Sequence, residues 1–171
     1  RDSAMAVCRL AEIDHIEGDY VAARRGYERS LSIYGALGRS PFLAWSLHHL
    51  GRLALDQGDH VAARDWLTQG LAMRRAEGDA LGMLYSLAAL ASLAAAEGQP
   101  VRALRLAGAA AALSDTTGAV LQPTERRSAE RRLALARQAL GPAADVAWVA
   151  GQALPLEQVV AEALTPPTDL S

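Results

Sequence analysis

The sequence contains no lysine and no asparagine, and it has only one cysteine and one phenylalanine. Its 17 basic residues, all of them arginine, nearly balance 19 acidic residues, so the formal net charge is −2. Such a balance provides no overall attraction to nucleic acid or to an anionic membrane surface. The exclusive use of arginine suggests a GC-rich bacterial coding sequence.

The cysteine content excludes internal disulfides and thiolate metal sites. Because Cys8 is the only cysteine, no internal disulfide and no thiolate cluster for a metal can form, which favours a cytoplasmic setting. The alanine-rich stretch 84–96 is shorter than a membrane span, and we interpret it as a buried helix. The chain opens without methionine or a signal-peptide pattern and closes on Thr165-Pro166-Pro167-Thr168, so we interpret it as a piece of a longer protein.

Glycine, by contrast, is regularly placed. Six of the 14 glycines follow one another at intervals of twenty: Gly18, Gly38, Gly58, Gly78, Gly98 and Gly118. The segment Gly18-Asp19-Tyr20-Val21-Ala22-Ala23-Arg24 recurs as Gly58-Asp59-His60-Val61-Ala62-Ala63-Arg64, and a looser copy begins at Gly98. This periodicity is typical of stacked helix pairs, each too thin to bury its apolar face alone. It favours a binding scaffold over a self-contained enzyme.

Each half-unit of twenty residues reads as a helix that ends at a glycine. Apolar spacing predicts helices over 4–17, 20–37, 45–57, 61–77, 81–97, 101–114, 124–140, 143–150 and 156–164. Asp19, Asp59 and Asp79 are placed to cap the helices that follow them. We expect Gln99-Pro100 to repeat the device, and Gly38-Arg39-Ser40-Pro41 to add a serine cap with proline in the first turn.

Beyond Gly118 the period ends. We predict three repeat units at about residues 1–40, 41–80 and 81–121, a helical C-terminal cap over 122–164, and a linker or disordered tail over 165–171. Terminal units of helical arrays usually differ from the others, because the last helix has to face water on one side.

Within each unit the spacing resembles the tetratricopeptide repeat. The residues that carry the resemblance are Leu10-Ala11, Gly18, Ala23, Tyr27 and Ser30-Leu31 in the first unit, Leu50-Gly51, Gly58, Ala63, Leu67 and Gly70-Leu71 in the second, and Leu90-Ala91, Gly98, Ala103, Ala107 and Ala110 in the third. The resemblance implies an all-α fold: a right-handed superhelix, or α-α solenoid, of antiparallel helix pairs with three forty-residue repeats and a C-terminal helical cap.

The forty-residue unit and the closing run 151–161 also resemble the C-terminal repeat region of large bacterial signal-transduction ATPases of the maltose-regulator and antibiotic-regulator kind. This resemblance implies a non-catalytic sensor or protein-binding region of a transcriptional regulator. Its partner would be a protein or peptide, the parent's own ATPase module, or a small-molecule inducer, with no direct nucleic acid or membrane contact. The sequence contains no Walker motif, and no cofactor is implied.

The first helices of such arrays usually line a concave groove. Counting from the signature predicts Met5, Cys8, Ala88 and Ala95 on this surface, together with the candidate binding residues Glu12, His15, Trp45, His48, Arg52, Asp56, Tyr85 and Ser92. Trp45 with Arg52 and Asp56 is the strongest candidate, because aromatic and arginine side chains dominate recognition energies. An equal alternative is that Trp45 simply packs between units.

Metal binding and nucleophilic catalysis have weaker support in the sequence. His48 and His49 are adjacent and diverge by about 100° on a helix, so they cannot share a metal ion. Cys8 has no identifiable catalytic partners, and we expect a small buried residue there. The sequence therefore predicts no catalytic residue and no metal site.

Two surface features remain open to interpretation. The helix 124–140 places Arg126, Arg127, Arg131, Arg132 and Arg137 opposite the apolar row Ala129, Leu133, Ala136 and Leu140; a solvated face is favoured over a phosphate contact. The alanines Ala107 and Ala109 to Ala112 favour an alternative function, a structural arm or homodimerisation module without a groove ligand.

Overall fold

The structure is a computed structural model that describes residues 2–38 and 40–166. In this part of the chain the regular elements are all α-helices: α1 (Asp2–Glu17), α2 (Tyr20–Ala36), α3 (Ser40–Asp56), α4 (His60–Glu77), α5 (Ala80–Ala96), α6 (Pro100–Thr117), α7 (Pro123–Leu140), α8 (Ala143–Ala153) and α9 (Leu156–Leu164). They pack in consecutive antiparallel pairs, which confirms the predicted all-α fold. The chain divides into two compact units that differ from the predicted repeat units: the first unit comprises residues 1–77, and the second unit comprises residues 78–171.

The helix junctions form through the predicted local interactions. The six regularly spaced glycines all have positive φ values between 61° and 87°, the left-handed region that glycine adopts without a steric penalty. The Asp19 carboxylate accepts a hydrogen bond from the Ala22 amide at 2.9 Å, and Asp59 accepts one from the Ala62 amide at 3.0 Å. Asp79 caps α5 in the same way. The three aspartate caps are therefore confirmed.

Some predicted ends are wrong. Helix α3 begins at Ser40 rather than at Trp45, because Pro41 fits the first turn, where its missing N–H is not needed. Gln99 makes no side-chain capping bond, although Pro100 opens α6 as predicted. Helix α6 continues past Ser114 to Thr117, and α8 continues to Ala153. Arg39 and the Ser40 side chain, in the predicted serine cap, lie outside the described residues, as do residues 167–171 of the predicted tail.

The first unit joins the pairs α1–α2 and α3–α4 through contacts between α2 and α3. Its core includes Ala11, Ala23, Tyr27, Leu50 and Leu53, all at most 1% exposed. Small side chains bring α1 and α2 close: a Cβ atom on Gly26 would lie 2.5 Å from the Cβ of Ala11. Because interiors are close-packed, this crossing requires glycine.

The second unit is built around the pair α5–α6, against which α7, α8 and α9 pack. Helices α6 and α8 approach through a reciprocal pair of glycines. A Cβ atom on Gly108 would collide with the carbonyl oxygen of Trp148, and one on Gly151 would collide with the carbonyl oxygen of Arg105. The backbones of α6 and α8 are therefore in direct contact at this crossing.

Two arginines of α6 hold α9. The Arg102 guanidinium donates hydrogen bonds to the carbonyl oxygens of Glu162 at 2.9 Å and of Thr165 at 2.6 Å. Arg105 forms an ion pair with the Glu162 carboxylate at 2.8 Å. These contacts fix the C-terminal end of α9 on the α5–α6 pair.

Candidate functional site

In the first unit, His15 of α1 and Asp56 of α3 form a direct contact. The Nε2 atom of His15 lies 2.8 Å from Oδ2 of Asp56, and its Nδ1 atom lies 3.4 Å from the Tyr27 hydroxyl. A consistent tautomer has the Tyr27 hydroxyl donating to Nδ1 and the Nε2–H donating to Asp56. The structure thus brings two predicted groove residues together, but it uses His15 to join three helices.

Trp45 is packed within its own helix pair. The guanidinium of Arg74 on α4 lies over its ring, and the His48 ring meets it edge-on with 5.6 Å between centroids. His48 and His49 are buried, and His49 stacks on Tyr27 with 5.0 Å between centroids. Trp45 and His48 therefore belong to a continuous aromatic layer between α2, α3 and α4.

The accessible part of the predicted groove in this unit includes polar and apolar side chains. Glu12 and Arg52 are half-buried, and the side chain of Asp56 retains partial exposure. Met5 is exposed, whereas Cys8 is half-buried. Burial raises the pKa of the Cys8 thiol, and a hydrogen bond to Ser30 opposes this shift. Cys8 is consequently less ionised than a free cysteine.

In the second unit, the predicted groove residues Tyr85 and Ser92 form hydrogen bonds within the unit. The Tyr85 hydroxyl donates to the carbonyl oxygen of Val120 at 3.4 Å and accepts from the Gln122 amide at 3.1 Å. The Ser92 hydroxyl donates to the carbonyl oxygen of Ala88 at 2.9 Å. Tyr85, Ser92 and Ala88 are buried, and Ala95 is half-buried. Tyr85 and Ser92 thus have structural contacts, and Tyr85 holds the segment between α6 and α7.

Arg74 is the residue that sequence reasoning missed. It lies near the end of α4, where arginine is usually exposed, yet it is completely buried. The repeat register contained a signal, because the position forty residues earlier is Tyr34, which is also buried. A comparison of equivalent positions would have indicated that Arg74 faces inward.

An apolar face of α1 is exposed, whereas the equivalent face of α3 is buried. Leu10 is 62% exposed and Ile13 is 50% exposed, whereas Leu50 and Leu53, forty residues later, are 1% and 0% exposed. Leu50 and Leu53 belong to the core cluster that contains Ala23 and Tyr27 of α2. The same repeat position is therefore covered by a helix on α3 and open on α1.

The other surface features are consistent with ordinary packing. On α7 the arginines at 126, 127, 131 and 137 are exposed while Ala129 and Ala136 are buried, as expected for a solvated face. The alanines Ala107, Ala109 and Ala110, cited for close helix association, are buried in the described structure rather than presented on its surface.

Within the described ranges, no three histidine, cysteine, aspartate or glutamate side chains are grouped so that they could hold a metal ion. No helix in this part of the chain combines the length and the apolar character that a membrane crossing requires.

Comparison with known proteins supports the repeat assignment. Residues 2–76 match the family model described as Tetratricopeptide repeat, so α1 to α4 form a tetratricopeptide repeat region. Such repeats typically mediate protein binding and are normally non-catalytic. No match was found among curated proteins or among solved structures.

Proposed function

We propose that the chain is a protein-binding repeat module, in which an amphipathic α-helix packs on the exposed face of α1 in the way that α2 packs on the equivalent face of α3. The difference in exposure between the pair Leu10 and Ile13 and the equivalent pair Leu50 and Leu53 carries this proposal. Complete burial of an apolar side chain of this size contributes about 1.5–3 kcal/mol, so a helix on this face would gain substantially from covering both residues.

The contacts of α2 with α3 indicate the chemistry of that partner helix. The Ser30 hydroxyl lies 3.0 Å from the Ser46 hydroxyl, and Tyr34 stacks on Phe42 with 4.9 Å between centroids. On the same face of α2, one turn before Ser30, the Tyr27 ring stacks on His49 of α3. A partner helix with small and aromatic residues at this spacing would pack on α1 in the same way.

We propose the polar surface of α1 and α3, formed by Glu12, Arg52 and Asp56, as a second contact area of this module. Charged groups on a binding surface favour a specific orientation of the partner. The predicted groove residues His15, Trp45 and His48 of the first unit would then support the binding surface through their internal contacts, whereas Tyr85 and Ser92 form contacts within the second unit.

A synthetic peptide with the sequence of residues 20–37, which contains α2, is a suitable probe, because α2 covers the equivalent face of α3. A fluorescein label on the peptide reports binding as an increase in anisotropy. The double variant L10R/I13R should bind at least about tenfold more weakly, since it replaces two side chains that binding would bury with charged ones. V61R changes another exposed apolar residue, on α4, and should bind like the unaltered chain.

Equal binding by L10R/I13R and the unaltered chain would overturn the proposal, as would no binding at millimolar peptide. Sedimentation velocity of the same proteins tests the alternative function as a homodimerisation module. A dimer of the unaltered chain that L10R/I13R dissociates would assign this face to a second copy instead of a partner protein.

We further propose that the module is the sensor or regulatory region of a cytoplasmic bacterial transcriptional regulator. The resemblance of the forty-residue unit and of the run 151–161 to the repeat region of large signal-transduction ATPases supports this role. Binding of the partner would bias the regulator between two states, which requires different affinities for the two. A parent reading frame that encodes neither a phosphate-binding loop nor a helix-turn-helix would overturn it.

A further inference from the structure

A cavity of about 310 Å³ opens in the second unit between α5, α6, α7 and α8. Its walls include Leu84 and Ala88 of α5, Ala110 of α6, Leu133 of α7 and Trp148 of α8. The volume lies at the lower end of the range for small-molecule sites, which are typically apolar with a few polar groups. The cavity is separate from the α1 face, so it is independent of the function proposed above.

The segment that connects α6 to α7 borders the cavity and is held by side-chain bonds at both ends. The Ser114 hydroxyl donates to the carbonyl oxygen of Ala119 at 2.5 Å, at the end of α6. The Tyr85 hydroxyl bonds to the backbone of Val120 and Gln122, at the start of α7. These bonds fix the start of α7, so the cavity is preformed rather than opened by a ligand.

Short side chains leave the space between the helices open. Helix α6 contributes Ala107, Ala110 and Ala111 to the wall, and Ala129 stands on α7. A methyl group at each of these positions cannot span the distance that a leucine would fill. A larger side chain at one of them should therefore occupy the cavity directly.

Arg126 and Glu130 are the charged residues of the lining, one turn apart on α7. Arg126 Nε lies 3.7 Å from Glu130 Oε1, which is longer than a hydrogen bond, and both side chains are 64% exposed. An exposed pair of this kind is weak, so a ligand can compete with it. The guanidinium offers five N–H donors and binds a carboxylate in a bidentate arrangement.

The charge of α7 favours an anion at this place. The helix carries five arginines and two glutamates, and it contains no aspartate. Its positive potential attracts an anionic ligand and opposes a cationic one.

We propose that the cavity binds a small apolar organic acid, with its hydrocarbon part against the alanine and leucine walls and its carboxylate on Arg126. Glu130 repels the same carboxylate and therefore weakens the binding. Neutralising Glu130 should strengthen it.

Three probes that share a phenylbutyl group separate the contribution of the carboxylate from that of the apolar part: 4-phenylbutyrate, 4-phenylbutanol and 4-phenylbutylamine. Titration calorimetry with the full chain should show 4-phenylbutyrate as the tightest of the three. Arg126→Gln should weaken its binding about tenfold, as expected for the loss of a charge-assisted hydrogen bond, and Glu130→Gln should strengthen it about threefold. Amide chemical-shift changes in α5 to α8, and none in α1, would place the probe in the cavity.

Ala111→Leu should abolish binding by filling the cavity, while Ala134→Leu on the exposed side of α7 serves as the matched control. Circular dichroism would verify that both variants fold. If Ala111→Leu does not fold, the two charge variants at the exposed rim, Arg126→Gln and Glu130→Gln, still test the proposal. Equal affinity for the three probes, unchanged affinity in Arg126→Gln, or no binding at millimolar probe would each overturn the proposal.

Discussion

The guanidinium carbon of Arg74 lies 4.5 Å from the ring centroid of Trp45, and the Arg74 side chain is completely buried. A desolvated cation–π contact of this kind contributes about 2 kcal/mol or more. The contact joins α3 to α4 at the residue that the sequence favoured for ligand binding. Trp45 therefore contributes to the packing of its helix pair.

Replacing Arg74 should destabilise the first unit. We expect Arg74→Ala to lower the free energy of unfolding by about 2–4 kcal/mol, because it removes the cation–π contact and leaves a cavity beside Trp45. Urea unfolding followed by tryptophan fluorescence measures the change.

Arg75 is the matched control, since it is the next residue on α4 and is exposed. Arg75→Ala should change the free energy of unfolding by less than about 0.5 kcal/mol. Equal losses in the two variants would contradict a specific role for Arg74.

The contact between α6 and α8 predicts a second sensitive position. Gly108→Ala should lower the free energy of unfolding by about 3 kcal/mol, the upper end of the usual range for overpacking, because the new Cβ meets the backbone carbonyl of Trp148. Gly35→Ala on α2 provides a control of opposite sign. Its Cβ would have Leu43 as its nearest neighbour at 3.8 Å, an ordinary contact, so this change should stabilise by about 0.5 kcal/mol. Thermal unfolding in which Gly108→Ala is as stable as the unaltered chain would refute the close approach.

The cap of α4 predicts a smaller effect. Asp59→Ala removes the carboxylate that accepts the Ala62 amide and should cost about 1 kcal/mol of stability. Asp65→Ala, on the exposed face of the same helix, should stay within about 0.5 kcal/mol of the unaltered chain. Circular dichroism melting curves compare the two, and a larger loss for Asp65→Ala would count against the capping role.

The single cysteine predicts a pH dependence. Burial raises the pKa of the Cys8 thiol, so at a given pH the folded chain contains less thiolate, which is the reactive form. The rate of alkylation by iodoacetamide should therefore rise at higher pH in the folded chain than in the same chain in urea. Mass spectrometry follows the reaction, and coinciding pH profiles in the two conditions would rule out the shift.

Several helix boundaries were predictable from a local signal. Helix α9 begins at Leu156 and ends at Leu164, and α7 ends at Leu140 before Gly141-Pro142, as the sequence predicted. Helix α3 was placed too short, because the prediction began it at Trp45 although the expected cap at Ser40-Pro41 already marked an earlier start. Pro41 in that turn was the stronger signal.

The site was predictable only in part. His15 and Asp56 were both expected on one surface, and they are in contact. The buried place of Arg74 was not expected, because the burial of a charged side chain depends on what packs against it. The cavity beside Arg126 combines four helices and the segment before α7, and no local pattern marks it.

The sequence by itself determined the repeat register and most helix ends, because a left-handed glycine and an aspartate cap act within a few residues. Leu10 and Leu50 occupy the same position in that register and carry the same side chain. Only the tertiary structure decided that one is exposed and the other is buried. The burial of an apolar side chain depends on whether another helix lies across it, and that is a property of the packed chain.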